Sequence, residues 1–386
     1  MANYFVLIDG MAETAVADSA AAVAEYYQDY PALGGLQQHG QSGLFITCPD
    51  GFVAESMTCI LTLLGVPPQH LPKGRAYLEA VSQGIPVEEE DLILRCNLVA
   101  VQEQRMFSSS ATGLTGAEMQ QAAWQVKQHC DGQTIQFFPM QDYKNLLVVK
   151  QGKKAMQTLN TKAPHENLQR PLQAFYPSGG EVAAALQLFI IESRRYLAEL
   201  WKDKPYEYWL IPWGQSCVQP VPTLQELFHC AGAVICGTEI VKGIGVLMGM
   251  TVPPLRGATA DVDTNLSEKV AAALAYGKDY PLVLLHVNGA DEAGHRKNQQ
   301  EKQNFLRQID QKIVAVLQQR LQPGDRLLIC SDHGTNAKTG QHEGSPQPFL
   351  LYEKEGKQRG YLGCLDGKLA VPLLSGEACK SIRRIG

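Results

Sequence analysis

The run Leu327-Leu328-Ile329-Cys330-Ser331 is strongly apolar and stops abruptly at Asp332-His333-Gly334-Thr335. It has the length of a buried strand rather than a helix, and it delivers a carboxylate and an imidazole together at its carboxyl end. The pattern recurs. The run 4–8 ends in Asp9-Gly10, and the run 281–287 ends in Asn288-Gly289-Ala290-Asp291-Glu292-Ala293-Gly294-His295. Further strand-like runs lie at 43–47, 208–211, 231–236 and 348–352. Over 181–201, 265–276 and 300–321 the pattern instead predicts helices, with apolar residues three and four apart in the first and last. Strands alternating with helices predict an α/β fold with a largely parallel sheet.

A chain of 386 residues, 45% of them hydrophobic, can bury a large core. The formal charge of −5 argues against a broadly basic surface for nucleic acid. The apolar N-terminal run is cut by Asp9 after five residues, too early for a signal peptide or a membrane span, so it reads as the first core strand. The 10 cysteines are scattered without a CxxC pair, and Cys96 and Cys330 sit inside apolar runs. They read as packing residues of a reduced, cytoplasmic protein.

Between about 67 and 177 the texture changes. Pro67-Pro68 opens the segment, strand-like runs follow at 134–139 and 145–150, and Pro164, Pro171 and Pro177 punctuate its end. This predicts a smaller inserted α+β domain at 67–177, covering the substrate, within a discontinuous core of 1–66 and 178–386.

An isolated Asp-Gly is ordinarily a turn, and Asp291 with His295 would by itself pass as a solvated helix start. Three strands that each carry acids or imidazoles to one sheet edge are harder to explain as packing. Asp291 and His295, at i and i+4, would share one helix face and can bridge a single ion. His342 lies in the Gly-rich stretch 339–344, which can bend back towards the same edge.

These segments resemble the archaeal-type cofactor-independent phosphoglycerate mutases of the alkaline phosphatase superfamily. The resemblance is carried in order by Val6-Leu7-Ile8-Asp9-Gly10, Leu63-Leu64-Gly65, Gly74-Arg75-Ala76-Tyr77-Leu78-Glu79-Ala80, Arg95-Cys96-Asn97, His286-Val287, Asp291-Glu292-Ala293-Gly294-His295 and Ser331-Asp332-His333-Gly334. It implies an alkaline-phosphatase-like core with helices on both sides of the sheet. It also implies a phosphoserine intermediate at Ser56 and two divalent ions. By resemblance, Asp9, Ser56, Asp332 and His333 hold one ion, and Asp291, His295 and His342 hold the other. Oxygen and imidazole ligands suit Mn²⁺, Zn²⁺, Co²⁺ or Mg²⁺. Arg75 and Arg95 match substrate-binding arginines of the family, although each would equally serve as a surface ion pair.

The sequence departs from the family around the substrate. Phe107-Ser108-Ser109-Ser110-Ala111-Thr112-Gly113 stands where relatives carry an Asp-Arg-Arg-Ala-Gly type motif, Ala163-Pro164-His165 replaces Asp-Pro-His, and Trp213 precedes Gly214 where relatives have arginine. Met57-Thr58-Cys59-Ile60 also lacks the acid and histidine that usually follow the nucleophile. Metal ligands retained beside lost cations imply phosphoglycerate mutase-like phosphoryl transfer on a small phosphorylated metabolite, with a substrate other than phosphoglycerate as a candidate. The resemblance extends to homoserine-phosphorylating relatives, which makes an amino-acid hydroxyl a candidate acceptor. A phosphomonoester or phosphonate hydrolase, and a non-catalytic metal-binding relative, are the competing readings.

Overall fold

The computed structural model describes residues 1–376, which form two compact units: 1–71 with the described residues from Val221 onward, and 72–220. The first is built on a seven-stranded sheet. Its order is Gly360–Asp366, Gln41–Ile46, Gln347–Glu353, Arg326–Cys330, Asn3–Ile8, Leu282–Val287, Gly232–Ile235. The last four strands run parallel, and Gln347–Glu353 pairs antiparallel with Arg326–Cys330. Asn3–Ile8 is central and nearly all buried, which accounts for an uninterrupted apolar run rather than an alternating one.

Side chains of one parity, Tyr4, Val6 and Ile8 with Val283, Leu285, Leu327 and Ile329, form one core with residues of the helices Ala20–Tyr27, Pro31–His39, Leu266–Tyr276 and Gln299–Ile309. The helix Ala370–Ser375 packs against Arg326–Cys330 and Asn3–Ile8 as well. The expected helix at 300–321 runs from Gln299 to Arg320 but widens into a π-turn at Asp310–Val314. Asp310 accepts from the backbone N–H groups of Ala32 and Leu33 at 3.1 and 2.8 Å, capping the neighbouring helix.

In the second unit a long strand, Leu92–Gln102, pairs antiparallel with Glu207–Cys217, Lys144–Val149 and Arg105–Ser108, and Ile135–Pro139 adds to Lys144–Val149. The strand expected at 208–211 and the helix expected at 181–201 therefore belong to this unit and not to the first. The expected boundary at 177 moves to 220. The cause is pairing and packing: Glu207–Cys217 runs along Leu92–Gln102, and Leu186, Phe189 and Leu197 share a core with Phe137, Leu147 and Leu210. Proline-rich punctuation at 164–177 marks short turns inside the unit instead of its exit.

Candidate active site

In the parallel register Leu7 lies beside Cys330 and His286, and Ile8 beside Val287. Asp9, Asp332-His333 and the Gly289–His295 helix must therefore emerge at one sheet edge. Gly10 is required there: its φ is +66°, and a Cβ would meet Asp291 Cα and Thr335 Oγ1 at 2.7 Å. Two short strands, Gly334–Asn336 and Gln341–Glu343, pair Thr335 with His342 and fold the second histidine back beside the first. The rings of His333 and His342 stack at 4.0 Å. Ser56 opens the Ser56–Leu63 helix, whose other seven residues are all buried.

The structure brings together all seven expected residues of this unit. Around His333 Nε2 lie Ser56 Oγ at 3.3 Å, Asp332 Oδ2 at 3.4 Å and Asp9 Oδ1 at 3.5 Å. Beside them, Asp291 Oδ2 is 3.3 Å from His295 Nε2, Asp291 Oδ1 is 3.5 Å from His342 Nε2, and the two Nε2 atoms are 3.0 Å apart. Ligands bound tetrahedrally at about 2.0–2.1 Å stand about 3.3 Å from one another, so both groups have the spacing of a coordination shell. His333 also falls within reach of Asp291 and His342, which places it at the junction of the two groups rather than wholly in one.

The polar inventory points the same way. His295 Nδ1 donates to the Gly340 carbonyl at 2.9 Å and His342 Nδ1 to the Ala54 carbonyl at 2.8 Å. When both rings are neutral, two Nε2 lone pairs then face each other and the Asp291 carboxylate, an arrangement that only a cation or a proton relieves. Asp9 Oδ1 and Asp332 Oδ2 are buried with no hydrogen-bond partner among the described residues. Burial, then the charges of Asp332 and Asp291, push Asp9 well above the usual carboxylate range. Burial raises Asp332 too, against the opposing charge of His333. Burial opposes ionisation of Asp291, but His295 and His342, when protonated, donate to it through Nε2 and hold it low. The two unpartnered carboxylate oxygens and the facing imidazole nitrogens fit divalent cations.

Two functional residues escaped the sequence reading. His286 Nε2 lies 3.1 Å from Asp9 Oδ2, and burial followed by the charge of Lys269 pushes the imidazole down to about 3, so it is neutral and donates to Asp9. A histidine inside an apolar strand reads as core, and only its place one residue before the strand end hints at this contact. Thr335 Oγ1 donates to Asp291 Oδ1 at 2.5 Å.

Arg75 and Arg95 belong to the second unit. Arg95 Nε pairs with Glu79 Oε2 at 3.2 Å, and its guanidinium lies 4.3 Å over the Trp213 ring. The indole N–H donates to Asn97 Oδ1 at 3.0 Å, and the His165 ring is 5.2 Å from Trp213. Burial, opposed by Glu166, and the charges of Arg95 and Arg75 hold His165 below its ordinary value. Trp213 thus supports the Arg95 fork where an arginine would have added a second cation. Among the described residues, no helix is long and apolar enough to cross a membrane.

Comparison with known proteins follows the same line. A family profile described as 2,3-bisphosphoglycerate-independent phosphoglycerate mutase matches residues 38–201. A protein of that name from Methanosarcina barkeri is 30% identical over 367 residues, spanning 92% of this chain and 91% of its own. Another from Methanothrix thermoacetophila is 30% identical over 366 residues, spanning 90% of each. Among solved structures, a Pyrococcus horikoshii protein superposes with a TM-score of 0.76 at 20% identity, over 98% of both chains. A cofactor-independent phosphoglycerate mutase from Thermoplasma acidophilum gives 0.61 at 16%, over 98% of this chain and 100% of its own. These two structural likenesses establish the fold.

Proposed function

Because the chain belongs to the 2,3-bisphosphoglycerate-independent phosphoglycerate mutase family of metal-dependent phosphomutases, we propose that it passes a phosphoryl group through Ser56 on a substrate other than phosphoglycerate. The observation that carries this reading is the position of Ser56 Oγ, 3.3 Å from His333 Nε2 at the edge of a buried acid and imidazole cluster in which Asp9 Oδ1 and Asp332 Oδ2 lack hydrogen-bond partners among the described residues. The hydroxyl meets the His333 imidazole, inside the cluster itself.

Asp9, Asp332 and His333 with Ser56, and Asp291, His295 and His342, would hold two divalent cations. When bound, such cations favour the serine alkoxide and offset the charge of the transferring phosphoryl group. Ser56 Oγ forms a bond to phosphorus as the bond from phosphorus to the substrate oxygen breaks, leaving phosphoserine and an alcohol. In the second half an acceptor hydroxyl attacks that phosphorus and Ser56 Oγ leaves. His286 holds Asp9 through its Nε2–H, and Thr335 holds Asp291, so neither carboxylate can turn away during transfer. Arg75 and Arg95 serve as guanidinium donors to the anionic end of the substrate.

Trp213 supports the departure in substrate. It spends its N–H on Asn97 and its ring face on Arg95, and so offers a substrate no charge. An amino-acid hydroxyl, as in homoserine, needs fewer cations than a phosphoglycerate. A phosphomonoester or phosphonate hydrolase is the second reading, favoured by the same loss of a clamp. The test is incubation of the metal-loaded protein with labelled phosphoglycerate, and with a generic aryl phosphate, each with and without homoserine. A phosphorylated Ser56 with transfer to homoserine supports the proposal; interconversion of the phosphoglycerates overturns the departure in substrate, inorganic phosphate without transfer supports hydrolysis, and an unmodified serine with no turnover refutes both.

A further inference from the structure

The helix Gln299–Ile309 carries Lys302, whose side chain is completely buried. A buried ammonium is costly unless its three donors are met. Here they are. Nζ donates to the backbone oxygen of Thr335 at 2.5 Å and of Ala12 at 3.3 Å, and lies 2.8 Å from Oε1 of Glu13. Glu13 Oε2 accepts in turn from the Ala337 N–H at 2.7 Å, and the Thr335 N–H donates to the Ala12 carbonyl at 2.8 Å.

One side chain therefore ties the segment that follows Asp9 to the segment that follows His333. The tie extends further, since the Thr335 hydroxyl donates to Asp291. Thr335 has little room to adjust: a Cβ on Gly10 or on Gly294 would come within 2.7 Å of its side chain. The segments bearing Asp9, Asp332-His333 and Asp291 thus meet through Lys302 and Thr335, behind the ligand atoms rather than among them.

We propose that Lys302 is a positioning residue that fixes the separation of the two cation groups by locking Thr335 and the Ala12 carbonyl in place. This rests on the two-cation reading above. The idea makes a prediction opposite in sign to simple charge. Removing an ammonium that lies behind the cation groups would, by loss of its repulsion alone, tighten cation binding. Loss of positioning weakens it, by about ten- to hundredfold for groups that orient metal ligands.

The experiment is calorimetric titration of metal-free protein with Mn²⁺, with circular dichroism as a check on folding. The variants are Lys302→Met, Glu13→Gln/Lys302→Met, which removes both charges of the buried pair, and Thr335→Val, which keeps Lys302 but deletes the hydroxyl on Asp291. Weaker Mn²⁺ binding in folded Lys302→Met and in Thr335→Val supports the proposal. If the single lysine variant does not fold, the double variant decides by the same measure. Unchanged or tighter binding in the folded lysine variants overturns it, and an effect on melting temperature alone would mark a purely structural lysine. Wild-type protein taking up fewer than two Mn²⁺ overturns the two-cation reading itself, and this proposal with it.

Discussion

Replacing Asp332 by asparagine should stabilise the metal-free protein and destabilise the metal-loaded one. Asp332 Oδ1 accepts from the backbone N–H of His333 at 2.9 Å and of Gly10 at 3.4 Å, bonds that an asparagine oxygen retains. The other oxygen has no hydrogen-bond partner among the described residues and stands in a group that includes Asp9, with ligand atoms within 4.8 Å of one another. At that distance and an effective dielectric constant of about 20, two carboxylates repel by about 3–4 kcal/mol. Proton uptake relieves part of this, leaving a net gain of about 1–3 kcal/mol for the variant at pH 7. For a unit of this size that is a rise in melting temperature of about 3–10 °C. With Mn²⁺ at a hundredfold excess over its dissociation constant the wild type gains about 2.7 kcal/mol, most of which a protein lacking one ligand forfeits. The order of melting temperatures should therefore invert between EDTA and Mn²⁺. The pH dependence has a definite sign. Asp9 and Asp332 have folded-state values raised above about 3.9. Their protonated forms favour the folded state fully below that value, and the benefit is lost as pH rises through the raised one. The metal-free advantage of Asp332→Asn should shrink as pH is lowered from 7 to 5. Scanning calorimetry tests all of this, and a variant less stable than wild type in EDTA at pH 7 would refute the reasoning.

Ser56→Ala should still take up two Mn²⁺ by calorimetry while turnover falls at least a thousandfold; undiminished turnover would show that another group is the nucleophile. Trp213→Arg restores the cation that relatives carry, and should raise phosphoglycerate mutase turnover at least tenfold, since a buried guanidinium–anion pair is worth about 2–5 kcal/mol. The same variant should melt lower when free but gain more from added phosphoglycerate than wild type does, and no gain would mean that Trp213 does not set substrate charge. His342→Ala should weaken Mn²⁺ binding and, by releasing the Ala54 carbonyl, speed chymotryptic cleavage after the exposed Phe52. Equal cleavage rates would show that the nucleophile segment is held independently.

Strand ends were the most legible part of this chain, because a buried parallel strand must be apolar throughout and Asp9 or Asp332 can enter only where the sheet stops. Seven polar residues that converge at one edge of the first unit could be named from that rule and the family likeness together. His286, Thr335 and Lys302 could not. Each acts through a backbone or side-chain contact with a residue far off in the chain, as when Lys302 meets Ala12 across 290 positions, and no local pattern records such a pairing. The extent of the second unit was misread for a related reason. Glu207–Cys217 is apolar in the same way as a core strand, and only its partner, Leu92–Gln102, tells which sheet it joins.

The hydrogen bond from His342 to the Ala54 carbonyl spans 288 positions and ends two residues short of Ser56. One nitrogen of that imidazole faces Asp291, where the proposed cation would sit; the other holds the segment that leads into Ser56. On the two-cation proposal, a change at this one ring would therefore be felt both in the cation group and in the segment leading to Ser56.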